Sequence, residues 1–154
     1  MTKENKKRLI IAVLCLLVGV LAGQVPARIT INKTGSVKYH VFWSLKPNPA
    51  KFWHGQYVRA NTFLELPGYD CDPCSIVKKV GCRAGDHLDV QDGRFFCNTR
   101  PICEAMAGHE PFDFNGTVPE GKIFLIGDSP NSYDSRYFGF IEEGAIDAIL
   151  RPIL

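Results

Sequence analysis

The spacing of turn residues limits this fold more than any other feature. Beyond residue 27 the apolar runs are short, rich in β-branched and aromatic residues, and interrupted every few positions by Gly, Pro, Asn or Asp. Runs of that length are poor helices on their own and suit a pleated, half-buried surface. Residues 28–33 alternate Ile29 and Ile31 with polar neighbours, which predicts a strand broken by Thr34-Gly35-Ser36. Strands are also predicted over 37–43, 56–60, 75–80 and 122–126, and a hairpin joins 88–90 to 94–97 across Asp92-Gly93. Residues 46–50 and 65–74 read as connections, and 103–119 as a loop or short helix. Residues 144–154 fit either helix or strand. With little helical periodicity and no internal repeat, the pattern predicts a mainly β domain.

Ahead of that domain stands residues 9–23, LIIAVLCLLVGVLAG, uncharged and apolar throughout. With Gln24, Val25 and Pro26 it reaches about the lower limit of roughly 17–20 residues for a bilayer span. Lys3, Lys6, Lys7 and Arg8 against Glu4 give the N-terminus +3, so a formal total of +2 leaves −1 for everything else. The positive flank orients the N-terminus to the cytosol and exports the remainder of the chain. The reading is therefore a basic N-terminus over 1–8, one transmembrane anchor over 9–26 and an exported domain over 27–154. A cleaved signal peptide is the alternative, although 23–27 lacks a good small-x-small cleavage site. At 45% hydrophobic and 22% charged residues the 154-residue chain is not disordered, and it has no basic excess for nucleic acid.

Five of the six cysteines, Cys71, Cys74, Cys82, Cys97 and Cys103, lie in the exported part, where disulfides persist. Cys97 and Cys103 flank a short Pro-containing loop and are expected to bond. Cys71-Asp72-Pro73-Cys74 suits a structural disulfide drawn from Cys71, Cys74 and Cys82 better than a redox motif or a zinc site, since Cys82 with His87 makes a poor second pair of ligands.

Two stretches carry chemistry. Residues 127–139, GDSPNSYDSRYFG, crowd together side chains that hydrogen-bond their own backbone and then lead into Arg136, Tyr137 and Phe138. Asp134 and Arg136 are close enough for a bidentate pair. By composition alone this is a rigid polar turn. Lys78 and Lys79 sit in a predicted strand and must face opposite ways, so a one-sided core buries one of them. A lysine desolvated among Ile76, Val77 and Val80 loses affinity for its proton and becomes a general base able to activate a serine. The plainer alternative leaves both lysines at an exposed edge, their stems covering apolar surface.

Three ordered stretches resemble the type I signal peptidases, most of all the conjugative, TraF-type branch that matures pilins. Asn32-Lys-Thr-Gly-Ser-Val37 is similar to the nucleophile box. Val77-Lys-Lys-Val80 with Gly85-Asp86 is similar to the general-base box. Gly127-Asp128 with Asn131-Ser-Tyr-Asp-Ser-Arg136 resembles the most specific signature, and Gly55-Gln-Tyr-Val58 a short box between the first two. The resemblance implies a membrane-anchored serine endopeptidase with a Ser36–Lys78 dyad, and an oxyanion hole from the Thr34 hydroxyl and the Ser36 N–H. It implies that Ser132 orients Lys78, that Asp134 and Arg136 brace the loop, and that Asp128 and Ser135 stand beside them. The implied fold is a coiled, mostly antiparallel β domain. No metal or cofactor is implied. The substrate would be an exported prepilin or other preprotein, the partners conjugative secretion components, and the location the bacterial inner membrane with the catalytic domain in the periplasm.

The chain departs from that branch at Lys38 and His40, where Pro and Gly are usual. His40 raises a Ser–His arrangement as a rival, and nothing in the sequence marks its third member. The other function classes are a catalytically degenerate relative that scaffolds a secretion machine and a disulfide-stapled secreted binding module.

Overall fold

The computed structural model describes residues 3–24, 28–47, 52–63, 70–71 and 73–154. The first element is the helix α1 (Lys3–Gln24), whose apolar side chains from Leu9 to Val20 are exposed. Among the described residues no helix is both long and apolar enough to cross a membrane. The uncharged stretch of α1 is short. The fifteen uncharged residues 9–23 rise about 22 Å as a helix, against roughly 30 Å of hydrocarbon. Val25 and Pro26, which completed the expected span, lie outside the described residues.

The rest is antiparallel β. A seven-stranded sheet is built from β1 (Ile29–Ile31), β2 (Val41–Leu45), β3 (Tyr57–Thr62), β4 (Cys74–Arg83), β9 (Lys122–Ile126), β10 (Ile141–Glu142) and β11 (Ile146–Pro152), in the order β1-β2-β11-β3-β4-β9-β10. A four-stranded sheet holds β5 (His87–Gln91), β6 (Arg94–Cys97), β7 (Arg100–Glu104) and β8 (Asn115–Thr117), in the order β7-β6-β5-β8. One short helix, α2 (Ser135–Phe138), comes after the loop that leaves β9.

Side-chain alternation divides three cores among these elements. Ile76 and Val80 of β4 join Val58, Ala60, Ile123 and Leu125 on one face of the large sheet. Val77 turns the other way, to Val37, Phe42, Ala148 and Leu150. Phe124 and Ile126 of β9 face the small sheet, where they meet Leu88, Phe95 and Val118. β9 is therefore shared between two cores, and four of its five residues are buried.

Several expectations are corrected. Residues 37–40 are not strand, and β2 begins at Val41. Residues 103–119 contain no helix; they hold the end of β7 and all of β8. Of the two readings left open for residues 144–154, strand is the one that forms over 146–152, pairing with both β2 and β3. The expected Cys97–Cys103 bond is replaced by Cys82–Cys97, with Cys71–Cys74 as the second disulfide. The hairpin register explains the change. Cys97 lies opposite Arg100 and Cys103 opposite Phe95, so the two cysteines are not cross-strand partners. Cys97 instead reaches β4 and ties the small sheet to the large one. Cys103 is a free thiol, its pKa pushed up to about 12 by burial.

The two sheets are also joined at Asp86, which accepts from the Arg83 N–H at 2.8 Å, from Asn98 Nδ2 at 2.8 Å and contacts His54 Nε2 at 2.7 Å. Burial opposes its charge, but these hydrogen bonds outweigh that and hold its carboxyl below the usual range. His54, Asp86 and the Cys97 sulfur come within 4.8 Å of one another, yet the sulfur belongs to the disulfide and has no thiolate to offer a metal.

Candidate active site

Lys78 is where the strand pattern and the chemistry meet. It shares the β4 face of Ile76 and Val80, and only 5% of it is exposed. Its ammonium donates to Ser132 Oγ at 2.8 Å. Burial lowers its pKa to about 8; nearby Asp134 opposes that shift and Arg136 adds to it. Alternation sends Lys79 to the opposite side, where it pairs with Asp128.

The loop after β9 is held by a buried ion pair. Asp134 and Arg136 are 0% and 2% exposed. Arg136 Nε and Nη2 each reach an Asp134 carboxylate oxygen at 2.8 Å. The other guanidinium hydrogens go to the carbonyls of Ser129, Pro130, Ser132 and Glu104. Asp134 also accepts the Gly127 N–H at 2.7 Å and caps α2 through the Arg136 N–H. Ser135 Oγ accepts the Leu125 N–H at 2.9 Å, fixing the loop to β9. Every donor of Arg136 is used, which is what burying a guanidinium requires.

That loop in turn clamps the turn at Ser36. The Asp128 and Ser129 N–H groups donate to the Ser36 carbonyl at 2.8 and 3.1 Å. Asp128 Oδ2 accepts the Lys38 N–H and the Tyr57 hydroxyl, each at 2.8 Å. Burial opposes the Asp128 charge, but Lys79 and these donors hold its carboxyl below the usual range, while burial and Asp128 raise the Tyr57 pKa. Gly127 leaves no room for a side chain, because a Cβ there would overlap Ser132 and stand 2.6 Å from the Ser36 carbonyl oxygen.

Ser36, Thr34, Lys78 and Ser132 line one cleft of about 780 Å³, together with Ile76, Val77 and both Cys71 and Cys74. Thr34 Oγ1 and Ser36 Oγ are 2.9 Å apart. Among the described residues no hydrogen bond joins Ser36 to Lys78, and the Ser36 N–H has no partner. His40 is not among the residues that line this cleft: its Nδ1 is 3.3 Å from the Asn32 carbonyl oxygen, and no acid partners it among the described residues. The sequence readings missed Asn32 as a buried member of the site; its place at the head of the nucleophile box was the available signal. They also missed Tyr57, whose reach to Asp128 only the tertiary fold sets.

A buried lysine of lowered pKa and a serine thus share one cleft on an antiparallel β frame. The chain belongs to the S26 peptidase family of signal peptidases, whose family pattern matches residues 7–153. It is 28% identical over 109 residues to the conjugal transfer protein TraF of Agrobacterium fabrum, an alignment that spans 66% of this chain and 57% of that protein. The chain thus spans little more than half the length of that curated relative. A signal peptidase I from Enterococcus faecalis superposes with a TM-score of 0.47 at 22% identity, covering 66% of this chain and 97% of that structure.

Proposed function

We propose that the chain is a membrane-attached serine endopeptidase that processes an exported preprotein, a prepilin of a conjugation system in the first instance. The observation that carries the reading is Lys78, buried and with its pKa lowered to about 8, in the same cleft as Ser36. An amine of that pKa is unprotonated in a useful fraction of molecules near neutral pH and can accept the serine proton.

In this reading Ser36 Oγ attacks the scissile carbonyl while Lys78 takes its hydrogen. The Thr34 hydroxyl and the Ser36 N–H stabilise the oxyanion. The Lys78 ammonium then protonates the leaving amine, and the acyl group stays on Ser36. Water activated by Lys78 releases it as an acid, or an amine of the substrate displaces it and closes a ring. Ser132 orients the amine. The braces are Asp134, Arg136, Asp128 and Ser135. Attachment is through α1, whose lipid-facing run is short and whose Lys6, Lys7 and Arg8 would lie among head groups. The β domain is then periplasmic, where its two disulfides persist.

A second reading, a degenerate relative without activity, draws on one observation: the Ser36 hydroxyl is bonded to Thr34 and not to Lys78. The deciding experiment gives the purified full chain a conjugative pilin precursor, with and without Ser36. Cleavage that vanishes in Ser36→Ala supports the peptidase. No cleavage by the parent chain, or equal cleavage by both, rejects it.

A further inference from the structure

Counting protons along Asn32, Thr34 and Ser36 assigns a direction to every hydrogen bond in the nucleophile turn. Asn32 is 6% exposed, and both ends of its side-chain amide bond to Thr34. Nδ2 donates to the Thr34 carbonyl at 2.6 Å, while Oδ1 accepts the Thr34 N–H at 3.3 Å and the Thr34 hydroxyl at 2.9 Å. These contacts fix which end of the amide is oxygen, because a carbonyl only accepts and an N–H only donates. The amide oxygen has no hydrogen to give, so the single hydrogen of Thr34 Oγ1 is used on Asn32. The 2.9 Å contact between Thr34 Oγ1 and Ser36 Oγ therefore runs one way, with Ser36 donating. Ser36 is thus held on Thr34, just as Lys78 is held on Ser132 at 2.8 Å.

We propose that Asn32 is a positioning residue that sets this direction and keeps the site in a resting arrangement which the substrate carbonyl releases. The assignment rests on Ser36 as nucleophile and Thr34 as oxyanion donor. An entering carbonyl oxygen competes with Asn32 Oδ1 for the Thr34 hydrogen, and rotation about one C–O bond transfers it. The Ser36 hydrogen is then free for the neutral Lys78 amine, which takes it as Ser36 Oγ bonds to the carbonyl carbon. Asn32 keeps the Thr34 N–H and carbonyl throughout, so the turn holds its shape while one hydroxyl swings. Lys78 and Ser36 need only separate hydrogen-bond partners at rest, which accounts for the missing bond between them.

The test is a double-mutant cycle on the full chain in detergent micelles, with p-nitrophenyl acetate as acyl donor and intact-mass detection of the acyl adduct. Asn32→Ala is expected to lower kcat about tenfold with KM changed less than twofold, because the Thr34 hydrogen is then free to turn onto Ser36 Oγ, which blunts the nucleophile and draws the oxyanion donor away from the carbonyl. In a Thr34→Val background the same change is expected to alter kcat less than twofold, since no hydroxyl is left to direct. If Asn32→Ala does not fold, Asn32→Ser goes through the same cycle. Equal losses in both backgrounds, or a raised KM at unchanged kcat, would overturn the assignment of Asn32 alone. An adduct that does not sit on Ser36 overturns the nucleophile reading, and this assignment with it.

Discussion

The two β regions bury different chemistry. The core beside the small sheet is Leu88, Phe95, Val118, Phe124 and Ile126, packed with Phe112, Phe114 and Phe140 and tied by Cys82–Cys97. Around the large sheet the buried set includes Thr30, Asn32, Lys78, Ser132, Asp134, Ser135 and Arg136. Apolar burial of the first kind stabilises without conditions. Polar burial of the second kind stabilises only when every group is paired, and a buried ammonium destabilises even then. The core beside the small sheet only stabilises, whereas the large sheet, which has two apolar cores of its own, also holds a lysine away from water. Changes in the first should therefore lower melting and spare the chemistry, and changes in the second should strike the chemistry without that loss of melting.

The largest expected effect is on catalysis. Ser36→Ala and Lys78→Ala should each lower turnover by a factor on the order of 10⁴, with far-ultraviolet circular dichroism unchanged. The double variant should be no worse than either, because in the proposed reaction Ser36 and Lys78 act in the same step. Lys78→Arg should be as damaging as Lys78→Ala, since a guanidinium keeps its proton. A turnover assay of the four variants decides this. Active Lys78→Ala beside dead His40→Ala would place the base elsewhere.

Next comes the apolar region. Phe124→Ala removes a fully buried ring shared by β9 and the small sheet, and should destabilise by about 3–5 kcal/mol in denaturant titrations. The specific activity of the molecules that remain folded should hold. If instead activity falls with no change in melting, the division between the two regions is wrong.

Much of this division was legible in the sequence. The alternation of Lys78 and Lys79, the pairing of Asp134 with Arg136 and the Asp92-Gly93 hairpin all come from local rules, and Asp92 and Gly93 do take positive φ, 49° and 75°. What escaped depends on long-range pairing. The β6–β7 hairpin turns on Asn98 and Thr99 at φ 48° and 70°, and a threonine gives no signal for that conformation. β8 is Asn-Gly-Thr, too short and too polar to alternate, and is strand because β5 pairs with it. The Cys82–Cys97 bond depends on the same pairings, since only the folded hairpin turns Cys97 toward β4. Asn32 stands in the same short stretch as Ser36, but nothing local says that its amide is buried.

A smaller effect reverses the usual sign of a damaging change. Lys78→Met should kill activity and raise stability near pH 7, because it removes the penalty of a buried charge. The folded-state pKa of about 8 lies below the ordinary lysine value of 10.5. Between those values the unfolded chain binds more protons, so the stability of the parent rises with pH there. Below pH 8 the full penalty is present, at most roughly 3 kcal/mol by the size of the shift. The melting advantage of Lys78→Met should thus be constant below pH 8 and shrink toward pH 10.5. An advantage independent of pH would mean that better packing, not lost charge, is the cause.

The smallest expected effect separates the two lysines. Lys79 lies opposite Lys78 in facing, is partly exposed, and meets Asp128 rather than the cleft. Lys79→Ala should leave the pH profile of turnover alone, with its rise still near 8, because Lys78 keeps its burial and its Ser132 contact. Asp128 would retain the Lys38 N–H and the Tyr57 hydroxyl, so the Ser36 turn stays clamped. A partly exposed ion pair contributes about 0.2–1 kcal/mol, and a loss of stability in that range is expected. Raising ionic strength should shrink the difference between parent and variant, as screening weakens the pair in the parent. A shift of the pH profile in Lys79→Ala would show that the two faces of β4 are electrically coupled, and that the polar region extends through the strand.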